Sequence, residues 1–92
     1  MDASQRPLAG TRVIEFTHMV MGPSVGVILG DLGADVIKIE PIKGDNTRRL
    51  QGSGAGYFPM YNRNKRSLCV DLKSAAGRDV AARLAEGADV VI

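Results

Sequence analysis

His18 is the only histidine in the chain, and it follows the short apolar run Val13-Ile14-Glu15-Phe16. An imidazole just past a strand end is placed for general acid or base work. No serine, cysteine or carboxylate stands beside it as a recognisable partner, so the plainer reading is a side chain that hydrogen-bonds loop backbone. The densest run of cations is Asn62-Arg63-Asn64-Lys65-Arg66-Ser67. Such groups hold phosphate oxygens through charge-assisted hydrogen bonds, and the same run equally describes a solvated basic face. Gly52-Ser53-Gly54-Ala55-Gly56 invites comparison with a dinucleotide-binding loop, but no strand immediately precedes it and no clear helix follows. Glu40 mimics the acid that holds an NAD ribose, yet Pro23 removes an amide where a pyrophosphate needs one. One cysteine, one histidine and scattered carboxylates give no metal-ligand spacing. Cys69, between Leu68 and Val70, is predicted to be a buried, inert thiol.

The elements that would position these groups follow from pattern. Val13–Phe16 reads as a strand, and Pro23 suits the first turn of a helix running to Leu32. Gly33 suits a left-handed C-terminal cap. Asp35–Glu40 reads as a second strand, stopped by Pro41. Residues 41–56 read as a long loop, with Gly52–Gly56 a flexible tip, and Tyr57–Asn62 is ambiguous, with a short helical turn one option. Ser67–Leu72 reads as a third strand. Ser74 is the predicted N-cap of a helix over 75–86 ended by Gly87, and Asp89–Ile92 begins a fourth strand. The order strand, helix, strand, loop, strand, helix, strand predicts an α/β fold with a Rossmann-like parallel sheet and crossover helices. In such sheets ligands bind beyond the carboxyl ends of the strands, which singles out the crossover Thr17–Pro23. Gly22, Gly26 and Gly30 recur every four residues, and the preferred reading is close packing of one helix face against the sheet.

The totals fit this picture. The chain has 92 residues, 45% hydrophobic and 24% charged, with two Tyr, two Phe and no Trp. An aliphatic core of Val, Ile, Leu and Ala suits parallel strands buried on both faces. A net charge of +2 is too small to argue for nucleic acid, and no nucleic-acid motif is present. No apolar run reaches the ~18–20 residues of a membrane span, no secretory signal is visible, and a single cysteine fits a reducing compartment. The expectation is a cytoplasmic protein with a frayed stretch at 1–6 and one unit over 7–92. Its end inside a predicted strand reads as the truncated first part of a larger domain.

Several stretches together resemble the N-terminal region of the family III CoA-transferases, the group that includes the formyl-CoA and carnitine CoA-transferases. They are Pro7–His18, Gly22-Pro23, Leu32–Glu40, Gly44–Arg48, Asn62–Ser67, Asp71–Lys73 and Gly77-Arg78. The resemblance implies a Rossmann-like large domain in a homodimer of interlocked chains. It also implies transfer of CoA between carboxylic acids through an aspartyl-CoA thioester, with acyl-CoA and an acceptor acid as partners and no tightly bound cofactor. The nucleophilic aspartate of the family is expected downstream of Ile92, and neither Asp71 nor Asp89 matches it, so no catalytic residue is assigned here and the 92 residues alone are expected to be inactive. The positions matching the family's CoA contacts are His18, Val20 and Met21 on the crossover, and Val70, Asp71, Leu72 and Lys73 after the third strand. Two departures stand out: Val20 replaces a glutamine of the formyl-CoA transferases, and Pro41 replaces an arginine beside the adenine. The alternative is a non-catalytic Rossmann-like module that binds CoA or a nucleotide.

Overall fold

The computed structural model describes residues 5–92. Its elements are β1 (Arg12–Glu15), α1 (Met21–Asp31), β2 (Asp35–Glu40), α2 (Tyr57–Tyr61), β3 (Lys65–Cys69), α3 (Ala75–Glu86) and β4 (Val90–Val91). Between β2 and α2 the segment folds into two 3-10 turns, Asn46–Arg49 and Gly52–Gly54. The strands form one sheet in the order β3-β2-β1-β4, and every pairing is parallel. Of the stretch read as frayed, residues 1–4 lie outside the described residues, while the Arg6 carbonyl already accepts the Ala9 amide.

Each face of the sheet carries its own apolar cluster, because successive strand residues point to opposite sides. Ile14, Ile37, Ile39 and Val70 pack on one side with Leu84 of α3 and Ala88. Val13, Ala34 and Val36 pack on the other with Leu8, Leu29 of α1 and Ile92. The two long helices therefore cover opposite faces, the doubly-wound arrangement.

Local chemistry sets the boundaries. The Ser74 hydroxyl accepts the Gly77 amide at 2.9 Å and opens α3 where the sequence predicts. Gly33 ends α1 with φ +106°, a region that favours glycine. The third strand differs from its predicted span: it occupies Lys65–Cys69, because pairing to β2 begins at Val36↔Lys65 and ends at Glu40↔Cys69. Cys69, predicted to be buried, is exposed. It lies on a strand that has a hydrogen-bonded neighbour on one side only among the described residues.

The glycine spacing of α1 is explained by contact. A Cβ on Gly26 would run into the Glu15 carboxylate, and one on Gly22 would run into the Thr17 side chain; Gly30 has ordinary room. Gly26→Ala should therefore destabilise the chain by up to about 2 kcal/mol, as overpacking of roughly 1–3 kcal/mol is set against the ~1 kcal/mol gain in helix propensity. Gly30→Ala should be neutral or stabilising, and urea unfolding of the two variants side by side measures the contrast.

Candidate functional site

Two adjoining clefts open at the carboxyl ends of β1, β2 and β3, the end at which open parallel sheets bind ligands. The larger has a volume of about 560 Å³. Phe16 and Ile39 form its floor, the segments Glu40–Gly44 and Val70–Lys73 its two walls, and Asn46 its corner. The smaller, of about 200 Å³, shares Phe16, Ile39, Pro41 and Asn46 and adds Thr17, His18 and Asp45.

The predicted residues are thus only partly brought together. Val70, Asp71, Leu72 and Lys73 line the larger cleft as one wall, and His18 lines the smaller. Val20 and Met21 line neither. Val20 precedes the first turn of α1, where its carbonyl accepts the Ser24 amide, and Met21 is 84% exposed. Asp71 is occupied in its own turn, its carboxylate accepting the Lys73 amide at 3.0 Å and its carbonyl the Ser74 hydroxyl at 2.9 Å. These bonds hold the turn that leads into α3.

The basic run does not offer free cations. Arg63 pairs with Asp31 at 2.7 Å, Lys65 with Glu15 at 2.7 Å and Arg66 with Asp35 at 2.6 Å. The Arg63 and Asn64 hydrogen bonds hold the Asp31 carboxyl below its usual range. Lys65 is fully enclosed, donating also to the carbonyls of Pro23 and Tyr61. Burial pushes its ammonium below the ordinary lysine value, against the opposing pull of Glu15. Lys43 and Lys73 both line the larger cleft, and neither has a carboxylate partner among the described residues. They are the cations available to an anionic ligand there.

Glu40 is equally committed. Arg48 grips it with two hydrogen bonds of 2.7 Å, the Asp45 amide donates at 2.8 Å, and Ser67 makes a further short contact. The Arg48 hydrogen bonds are the largest cause holding its carboxyl down at about 2, from an ordinary 4.5, with burial opposing. A carboxylate so engaged is not free to hold a ribose, which removes the main support for the dinucleotide reading. Arg48 in turn lies 3.9 Å from the centre of the Phe58 ring, a cation–π contact that ties the 3-10 turn to α2.

Sequence reasoning missed the support beneath the crossover. Glu15 and Lys38, which look like solvent-facing residues of alternating strands, are buried at 0% and 1% exposure. The Lys38 ammonium meets Glu15 at 3.1 Å and Asp45 at 3.0 Å, and donates to the Thr17 carbonyl at 2.8 Å. Burial raises the Asp45 carboxyl, but the Thr47 amide and hydroxyl and Lys38 together bring it below its usual value. The link between them is the parallel register, in which Glu15 and Lys38 are direct partners on adjacent strands, and no local pattern in the sequence signals it.

Comparison with known proteins identifies the family. The sequence profile of CoA-transferase family III matches residues 8–92. A succinate–glutarate CoA-transferase of Agrobacterium fabrum is 43% identical over 97 residues, covering 94% of this chain and 24% of that protein. A formyl-CoA:oxalate CoA-transferase of Escherichia coli is 43% identical over 91 residues, covering 94% of this chain and 22% of that protein. The crystal structure of a CAIB/BAIF family protein from Brucella suis superposes with a TM-score of 0.86 at 44% identity, over 94% of this chain and 25% of that one. The chain thus spans about a quarter or less of the length of the relatives it matches. With the profile running through every element from the first turn to β4, the chain belongs to CoA-transferase family III.

Proposed function

We propose that these residues form part of the CoA pocket of an enzyme that moves CoA between carboxylic acids. The observation that carries this reading is the cleft at the strand ends, lined by Val70–Lys73 and by Lys43, in a chain of this family. Two lysines flanking an apolar floor suit a ligand with an anionic diphosphate and an elongated, largely uncharged arm. His18 faces that arm from the smaller cleft, while Val20 and Met21, which line neither cleft, would reach the ligand only where it runs out along the crossover.

In the proposed reaction an aspartate outside these 92 residues attacks the acyl-CoA carbonyl and expels CoA thiolate, leaving a mixed anhydride. The thiolate then attacks the aspartyl carbonyl, releases the first acid and forms the aspartyl-CoA thioester. The acceptor carboxylate repeats the sequence in reverse, leaving as its CoA ester and freeing the aspartate. Dividing one acyl transfer into such steps is the advantage of covalent catalysis. The protein is read as a cytoplasmic homodimer of interlocked chains, and the 92 residues alone as inactive.

Calorimetric titration tests the pocket. CoA should bind, NAD should bind far more weakly, and Lys73→Glu should weaken CoA about tenfold, as expected for reversing one charge-assisted contact. Preference for NAD would reject the reading in favour of a nucleotide-binding module. Transfer of CoA from an acyl-CoA to an acid by the 92 residues alone would reject the assignment of the nucleophile.

A further inference from the structure

His18 stands between two backbone groups that are both held from below. On one side, the Thr17 carbonyl accepts from Lys38 at 2.8 Å. On the other, the Met19 amide donates to the Thr47 hydroxyl oxygen at 3.0 Å. The two anchors are joined: Asp45 accepts the Thr47 amide at 2.8 Å, interacts with the Thr47 hydroxyl, and pairs with Lys38 at 3.0 Å. The side chains that close this ring are buried, Lys38 and Thr47 to 1% exposure and Asp45 to 3%. Met19 has φ +70°, a conformation seldom adopted by residues other than glycine.

The crossover is therefore bent sharply and pinned on both sides of His18, which with Thr17 it presents to the smaller cleft. Resting on the reading of that cleft as part of the CoA site, we propose that Thr47 is a positioning residue. Its hydroxyl holds Met19 in the left-handed bend, and so fixes the wall that His18 contributes before any ligand arrives. No part of Thr47 lines either cleft, so its effect on the ligand is transmitted through the backbone. A loop held in its binding conformation avoids the ordering entropy that a mobile one loses on binding.

The test compares Thr47→Val, which keeps the shape and removes the acceptor, with Thr47→Ser, which restores it. Hydrogen–deuterium exchange read at Met19 should speed up about tenfold in Thr47→Val and stay near the parent rate in Thr47→Ser, since a hydrogen bond to a buried group is lost in one and kept in the other. CoA affinity should fall about tenfold in the first and recover in the second, with the global unfolding midpoint of the two within a few degrees. Asp45→Asn, which breaks the Lys38 pair, is the second variant and should shift both readouts in the same direction should Thr47→Val fail to fold. Unchanged exchange at Met19, or equal loss of CoA affinity in the Val and Ser variants, would overturn the proposal. Absence of CoA binding by the parent protein is a separate result: it rejects the pocket assignment, while Met19 exchange still decides whether Thr47 pins the crossover.

Discussion

Glu15→Gln is expected to destabilise the fold by about 3–5 kcal/mol, the range seen when one partner of a buried ion pair is removed. Glu15 is the shared anion of two enclosed ammonium groups, Lys65 at 2.7 Å and Lys38 at 3.1 Å. Asp45 supplies the only other carboxylate touching either of them among the described residues. In the parent chain, two cations and two anions balance. In the variant, two cations share one anion beneath α1, where Gly26 lies so close that an added Cβ would meet Glu15 and Lys65. Small domains hold only about 5–15 kcal/mol in total, and one of this length sits at the low end. The measurement is urea unfolding followed by circular dichroism. A companion double variant, Glu15→Gln with Lys65→Met, removes one charge of each sign and leaves the Lys38–Asp45 pair intact. It should be less destabilised than the sum of the single changes by about 1–3 kcal/mol, the coupling expected of groups in direct contact. A Glu15→Gln midpoint unchanged from the parent would mean that water reaches this cluster and that it is not the post beneath the crossover.

The same cluster explains what the sequence could and could not reveal. Period, caps and punctuation are local properties, so β2 and α3 appear at their predicted residues and Ser74 caps where it should. The family resemblance is also carried by contiguous stretches, and the profile match over residues 8–92 bears it out. Register is not local. Only the pairing Val36↔Lys65 shows that β3 starts two residues before its predicted span, and only the same pairing places Lys65 under α1 instead of on a basic surface. Alternation in Val36-Ile37-Lys38-Ile39-Glu40 signals a strand with one wet face, because sequence hydropathy treats every lysine and glutamate as solvated. Here that face is covered by α1, and the charges remain inside because each finds a partner from another element. The segment over 41–56 was legible as a long connection without strands. Its 3-10 turn at Asn46–Arg49, which delivers Thr47 and Arg48 to their partners, depends on contacts with Met19 and Glu40 that lie 28 and 8 residues away in sequence.

Glu40 gives the second large effect, and its sign is set by pH. Its folded-state carboxyl titrates at about 2 against an ordinary 4.5. The folded state therefore releases the proton more readily than the unfolded chain. A carboxyl depressed in this way stabilises the fold fully above the unfolded value, and that contribution is lost as pH falls from about 4.5 towards about 2. At neutral pH a shift of that size corresponds to roughly 3 kcal/mol. Glu40→Gln should lose about that much at pH 7, because the amide cannot hold the Arg48 guanidinium as two carboxylate oxygens do. It should also flatten the acid limb: between pH 4.5 and 2 the slope of stability against pH should fall by up to about 1.4 kcal/mol per unit, the value for one proton. Asp45 and Asp31, also held below their usual range, keep part of the acid sensitivity in the variant. Urea unfolding at pH 7, 4.5 and 3 for parent and variant measures both effects. If the two chains lose stability in parallel on acidification, the Arg48–Glu40 grip is not the source, and the 3-10 turn that carries Arg48 and Thr47 must be anchored chiefly by the Asp45 cap.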